Sequence, residues 1–121
     1  MLTTQTSRLI NTSPDILYNA FTDPAALETW MGPGKMKDRY TIRPITLQPY
    51  KKIVLGIRFD TGGPGYVGEM VMEVRFDRQS TATLVTIIFT NIPLGVKPED
   101  NEKATESSLD NLERYLGLND N

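Results

Sequence analysis

The sequence contains neither cysteine nor histidine. Without cysteine there is no disulfide and no thiolate chemistry. Without histidine the usual zinc sites, Ser-His nucleophiles and imidazole bases are excluded. A basic excess is missing too: 13 Lys and Arg against 15 Asp and Glu leave a net charge of -2, which argues against a nucleic-acid surface. No apolar run approaches membrane-spanning length, and the N-terminus lacks a charged-then-apolar signal pattern. A cytoplasmic protein with no membrane span and no nucleic-acid partner is therefore expected. What is present reads as ordinary globular: 121 residues, 39% hydrophobic and 23% charged, enough for one domain over 1–121 with a sizeable core.

The most informative stretch is the C-terminal one, where the spacing predicts a helix from Pro98 to Gly117. Pro98 suits the first helical position, Glu99, Asp100 and Glu102 favour the positive end of the dipole, and Gly117 is a natural stop. At 3.6 residues per turn Asn101, Ala104, Thr105, Ser108, Leu109, Leu112, Tyr115 and Leu116 share one face, with Glu106, Asp110, Glu113 and Arg114 opposite. The second half of that stripe is bulky; the first half is small or weakly polar. Such a helix needs a broad sheet to lie on and leaves a gap near its start.

The sheet is legible in period-2 patterns. Leu2 to Ile10 suits a first strand, with Thr3, Thr4 and Thr6. Ser13 as cap and Pro14 as first residue open a short helix presenting Ile16, Leu17, Ala20 and Phe21. Asp23 and Pro24 open a second, carrying Leu27 and Trp30 inward. Met31 to Asp38 is a Gly-Pro-Gly loop. Four β segments follow: Tyr40 to Leu47; Ile53 to Asp60, with Ile53, Leu55, Ile57 and Phe59 on one face; Val67 to Asp77, with Met70, Met72, Val74 and Phe76 inside and Glu69, Glu73 and Arg75 outside; and a last one with Thr83, Val85, Ile87 and Phe89. Turns fall at Gln48-Pro49-Tyr50-Lys51 and Asp77-Arg78-Gln79-Ser80, and Thr61 to Gly65 is a loop. Short turns between strands make an antiparallel meander, and one apolar face must be covered by the long helix. The expected class is α+β, a helix-grip arrangement.

Several segments, in this order and spacing, carry a resemblance. Ser13-Pro14-Asp15-Ile16, then Asp23-Pro24-Ala25-Ala26-Leu27-Glu28-Thr29-Trp30, resemble the opening of START-like helix-grip (SRPBCC) domains. Gly68-Glu69-Met70, Asn91-Ile92-Pro93, Pro98-Glu99-Asp100-Asn101-Glu102 and Ser107-Ser108-Leu109-Asp110-Asn111-Leu112 are similar to the heat-shock-protein-90 ATPase activator-like branch. The resemblance implies a curved antiparallel sheet gripping the C-terminal helix over an apolar cavity. Family members bind or carry hydrophobic small molecules, including lipids, act as polyketide cyclases, or stimulate a chaperone ATPase. One departure stands out. Between Trp30 and Tyr40 the family has a further hairpin, which at usual strand lengths would need roughly 12–20 more residues. Its loss would leave two sheet edges, and since such edges tend to be covered or paired, a homodimer or a more open grip is expected. Pro44, unable to donate to a ladder, suits an edge.

The candidate ligand-binding set is Trp30, Tyr40, Ile57, Phe59, Met70, Met72, Phe76, Ile87, Phe89, Ala104, Thr105 and Ser108, where long Met and Phe side chains oppose a small-residue half-helix. A plain packed core competes with this reading, but methionine adapts to irregular ligands. Pockets with a few convergent polar groups, here Thr105, Ser108 and Tyr40, suit apolar molecules. Nothing assigns a catalytic group. Glu69 and Glu73 fall on the outer face, Asn91 and Tyr66 are the nearest polar residues at the rim, and Arg58 and Arg75 suit cross-strand charge pairs. Glu99, Asp100 and Glu102 are explained by the dipole without a metal. Gly32-Pro33-Gly34-Lys35 lacks the phosphate-loop spacing. The function expected is non-catalytic binding or carriage of a hydrophobic small molecule, without a cofactor. Two alternatives stand beside it: a module contacting a chaperone through Met31 to Asp38 and Asn91 to Lys97, with Met36, Ile92 and Leu94 exposed, and a polyketide cyclase-like enzyme.

Overall fold

The computed structural model describes residues 3–30, 40–59 and 68–118. Along the chain run β1 (Thr4–Ile10), α1 (Pro14–Thr22), α2 (Pro24–Trp30), β2 (Tyr40–Gln48), β3 (Lys52–Phe59), β4 (Glu69–Gln79), β5 (Ala82–Thr90) and α3 (Pro98–Tyr115). All strand pairs are antiparallel, in the order β1-β5-β4-β3-β2. The class is α+β, a five-stranded sheet and a C-terminal helix in a helix-grip arrangement. Residues 31–39, between α2 and β2, lie outside the described residues. The described sheet ends at β1 on one side and β2 on the other. Pro44 sits in β2, where the register with β3 shifts between Pro44 and Thr46.

Period-2 alternation decides which side of the sheet is buried. Met70, Met72, Val74 and Phe76 of β4 and Thr83, Val85, Ile87 and Phe89 of β5 all point inward, with Ile53, Leu55 and Ile57 of β3 beside them. Thr83, fully buried, donates its hydroxyl to the Thr12 carbonyl at 2.8 Å. Phe59 is half-buried at the end of its strand. The β4 strand runs on to Gln79, which pairs with Ala82. The turn is thus the Ser80-Thr81 pair, two residues later than the sequence suggests, with Ser80 in the left-handed region at φ 61°.

Ser13 caps α1 ahead of Pro14 as expected, in extended backbone and without a side-chain bond to the helix; its hydroxyl donates to the Asp15 carboxylate and holds that group below its ordinary pKa. Two other helical readings need correction. On α1 the buried stripe is Pro14, Leu17, Ala20 and Phe21. Ile16 is exposed because Pro14 occupies the inward position one turn before Leu17. On α3 the buried residues are Thr105, Leu109 and Leu112. Tyr115 is exposed, and Leu116 makes the inward contact at that end.

Two interactions fix the neighbourhood of the site. The Trp30 indole Nε1 donates to the Ala20 carbonyl at 2.9 Å, and its ring meets Phe21 edge-on at 4.7 Å, which clamps α2 on α1. Arg8, on the inward side of β1 with Thr4, Thr6 and Ile10, reaches α3. Its guanidinium donates to Asp110 at 2.6 Å, Glu106 at 2.7 Å and Glu113 at 2.9 Å. These acids, spaced four and three residues apart, form their own stripe along α3. Burial opposes charge on Arg8, but the three carboxylates prevail and its pKa lies above the usual value.

Candidate functional site

Under the first half of α3 the small residues foreseen there leave space unfilled. A cavity of about 170 Å³ lies between sheet and helix, lined by Trp30, Ile57, Phe59, Met70, Met72, Ile87, Phe89, Asn101, Ala104, Thr105 and Ser108. Its floor comes from three strands in register: Ile57 opposes Met70 across β3 and β4, and Met72 opposes Phe89 across β4 and β5. Trp30 closes one end from α2. The α3 side contributes the polar groups, and Ala104, exposed at the surface, marks where the cavity meets solvent.

A packed core would not keep this space. The hollow exists because α3 carries Ala104, Thr105 and Ser108 where leucines would fill it.

Polar atoms along α3 are partly committed. The Thr105 hydroxyl donates to the Asn101 carbonyl at 2.8 Å, and the Asn101 amide nitrogen donates to Thr4 Oγ1 at 3.0 Å. Among the described residues none that lines the cavity is ionisable, and no group of acids, histidines or cysteines is placed to hold a metal ion.

Of the candidate binding residues, Trp30, Ile57, Phe59, Met70, Met72, Ile87, Phe89, Ala104, Thr105 and Ser108 come together on this one cavity. Phe76 does not. Six residues beyond Met70 on β4, roughly 20 Å along the strand, it packs under α1 with Phe21 and Tyr18. Tyr40 opens β2 opposite Phe59; its side chain lies outside the described residues, as does Tyr66. Asn101 was missed as a lining residue, although its place on the α3 stripe one turn before Thr105 was visible in the spacing.

The remaining candidates lie elsewhere. Glu69 sits on the outer face of the sheet. Arg43 donates to its carboxylate at 2.7 and 3.1 Å, Arg58 approaches to 4.0 Å, and the Arg43 bonds hold the carboxyl below its ordinary pKa against an opposing desolvation. To reach Arg43, the Glu69 side chain crosses β3 over Gly56, where a Cβ would collide with the carboxylate. Arg75 bonds Glu73 along its own strand at 2.5 Å, not across strands. Asn91, with φ 56°, donates its side-chain amide to the Glu69 carbonyl at 2.8 Å and does not line the cavity. In the Asn91 to Lys97 loop Leu94 is 87% exposed, but Ile92 is buried, contrary to its expected exposure, because its side chain joins the hydrophobic core. The Met31 to Asp38 segment, with Met36 and Gly32-Pro33-Gly34-Lys35, lies outside the described residues. No helix among the described residues is long and apolar enough to cross a membrane.

Comparison with known proteins sets this site in context. The family profile for "Activator of Hsp90 ATPase homolog 1-like protein" matches residues 11–117. None of the curated proteins matches the chain. Among solved structures, a protein from Chromobacterium violaceum is similar at a TM-score of 0.76 and 23% identity, over 91% of this chain and 94% of its own. An HSP90 activator from Plasmodium falciparum is similar at a TM-score of 0.76 and 19% identity, over 97% of each chain. DynU16, a protein of the dynemicin biosynthetic locus, is similar at a TM-score of 0.74 and 18% identity, over 95% of this chain and 47% of its own. At these identities the likeness is one of fold.

Proposed function

Since the chain belongs to the family of activator of Hsp90 ATPase homolog 1-like proteins, we propose that it binds and carries a small hydrophobic molecule, without catalysis, in the cavity under α3. The observation that carries this proposal is the lining itself. Seven apolar side chains from four elements converge on a space that three small or weakly polar α3 residues leave open. The bound molecule would replace the missing side chains and recover their contacts. A cyclase-like role would require a proton donor or acceptor at the substrate, and among the described residues the lining offers only hydroxyls, an amide and the Trp30 indole.

The second reading, a module acting on a chaperone ATPase, has the family's description and the exposed Leu94 in its favour. With Ile92 buried, the Asn91 to Lys97 loop offers less apolar contact area than its sequence implies. We further propose that residues 1–121 act as one domain in the cytoplasm, as a homodimer, and sedimentation equilibrium tests the last of these.

Filling the cavity from α3 tests the main proposal. Ser108→Trp or Ala104→Trp is expected to abolish binding of fluorobenzene, read by broadening of its ¹⁹F resonance, with the far-ultraviolet circular dichroism unchanged. Equal broadening by wild type and both variants would refute it. Stimulation of a chaperone ATPase by all three proteins alike would favour the interaction module.

A further inference from the structure

We infer that the molecule held in this cavity is a neutral amphiphile, with an apolar body about the size of one aromatic ring and a single uncharged hydrogen-bonding head lying on α3. This rests on the carrier function proposed above and specifies its ligand class.

Size comes first. The hollow of about 170 Å³ is close to an engineered apolar cavity of ~150 Å³ that stays dry and binds benzene. It is below the roughly 300–1,000 Å³ of drug-sized pockets. A ring with one substituent fits wholly inside; a sterol or a long acyl chain would project past Ala104 into solvent.

Polarity is one-sided. The floor of Ile57, Met70, Met72, Ile87 and Phe89 offers only carbon and sulfur, so the inward part of the ligand must be apolar. Among the described residues all aliphatic hydrogen-bonding groups of the lining stand on α3. Asn101 uses its amide nitrogen on Thr4, which leaves its amide oxygen as an acceptor. Ser108 is half-buried, and its hydroxyl makes no side-chain hydrogen bond within the described residues, so it can both donate and accept. Asn101 lies two turns, about 10 Å, from Ser108, so a single hydroxyl or phenol head answers Ser108 alone.

Charge is disfavoured. Burying an ionised carboxylate or ammonium without a partner is very costly, and no side chain of the lining among the described residues is ionisable. The inward cation of β1, Arg8, is already claimed by Glu106, Asp110 and Glu113.

The test uses the full chain carrying [methyl-¹³C]methionine, titrated at pH 7 with benzyl alcohol, toluene and benzoate. Expected are shifts of the Met70 and Met72 methyl signals with benzyl alcohol and toluene, and binding of benzoate at least tenfold weaker than of benzyl alcohol. Ser108→Ala, a favourable helix substitution, is expected to weaken benzyl alcohol at least threefold and leave toluene unchanged. Benzoate binding as tightly as the alcohol, or Ser108→Ala weakening neither probe, would overturn the neutral-head assignment while the cavity function stands. No methyl shift with any of the three probes would overturn the cavity function and this inference with it.

Discussion

Removing the guanidinium from Arg8 while keeping its stem, as in Arg8→Met, is expected to destabilise the fold through α3. Its side chain is 22% exposed, while those of Glu106, Asp110 and Glu113 are 55%, 54% and 25% exposed. Exposed pairs contribute about 0.2–1 kcal/mol each. Glu106 and Asp110 count near the bottom of that range and Glu113 near the top, for a sum of about 1.5 kcal/mol. The variant also leaves three carboxylates on neighbouring turns with no cation between them, and like charges four apart repel by about 0.2–0.5 kcal/mol. The total is about 2 kcal/mol, or roughly 8 °C in melting temperature at about 2.1 cal/mol/K of unfolding entropy per residue. The assay is thermal unfolding by circular dichroism at 20 mM and 1 M sodium chloride. Since the Debye length falls to about 3 Å at 1 M, the gap between wild type and variant should shrink by at least half. An unchanged melting temperature at low salt, or a gap indifferent to salt, would refute the electrostatic account of how α3 is held.

On the outer face, Arg43→Met should let the Glu69 pKa rise toward its ordinary value of 4.5. Gly56→Ala should do the same by displacing the carboxylate. Both are read by carboxyl ¹³C titration, and an unmoved Glu69 would contradict the pairing. The sign follows from the depressed folded-state value: the pair's stabilisation is present above the unfolded carboxyl pKa and is lost as pH falls through the folded one. Trp30→Phe leaves the buried Ala20 carbonyl without its donor and should cost about 2 kcal/mol in urea unfolding; a loss below about 0.5 kcal/mol would show that the indole bond is replaced by water.

The strands were legible because their apolar residues alternate without interruption: the inward sets of β4 and β5 are buried as their spacing requires. The hollow was legible for a different reason, since Ala104, Thr105 and Ser108 stand where α3 should bury bulk. Side-chain partners across long sequence distances were not. Glu106, Asp110 and Glu113 read as a solvated face from α3 alone. Their common cation appears only when Arg8 is seen to share strand parity with Thr4, Thr6 and Ile10. Phe76 was assigned to the site by parity, which reports the face of a strand and not the position along it. Ile92 was given to solvent because it lies in the Asn91 to Lys97 loop, while packing draws it into the core.

The central claim is that a small apolar molecule can occupy the space between Met70, Met72, Phe89 and the start of α3. Diffraction from crystals of the protein pressurised with xenon tests it most directly, because xenon enters apolar cavities of this size without needing a polar anchor. The account predicts an anomalous peak within van der Waals contact of Met72 and Phe89. Side chains filling that volume, with no xenon bound there, would contradict it.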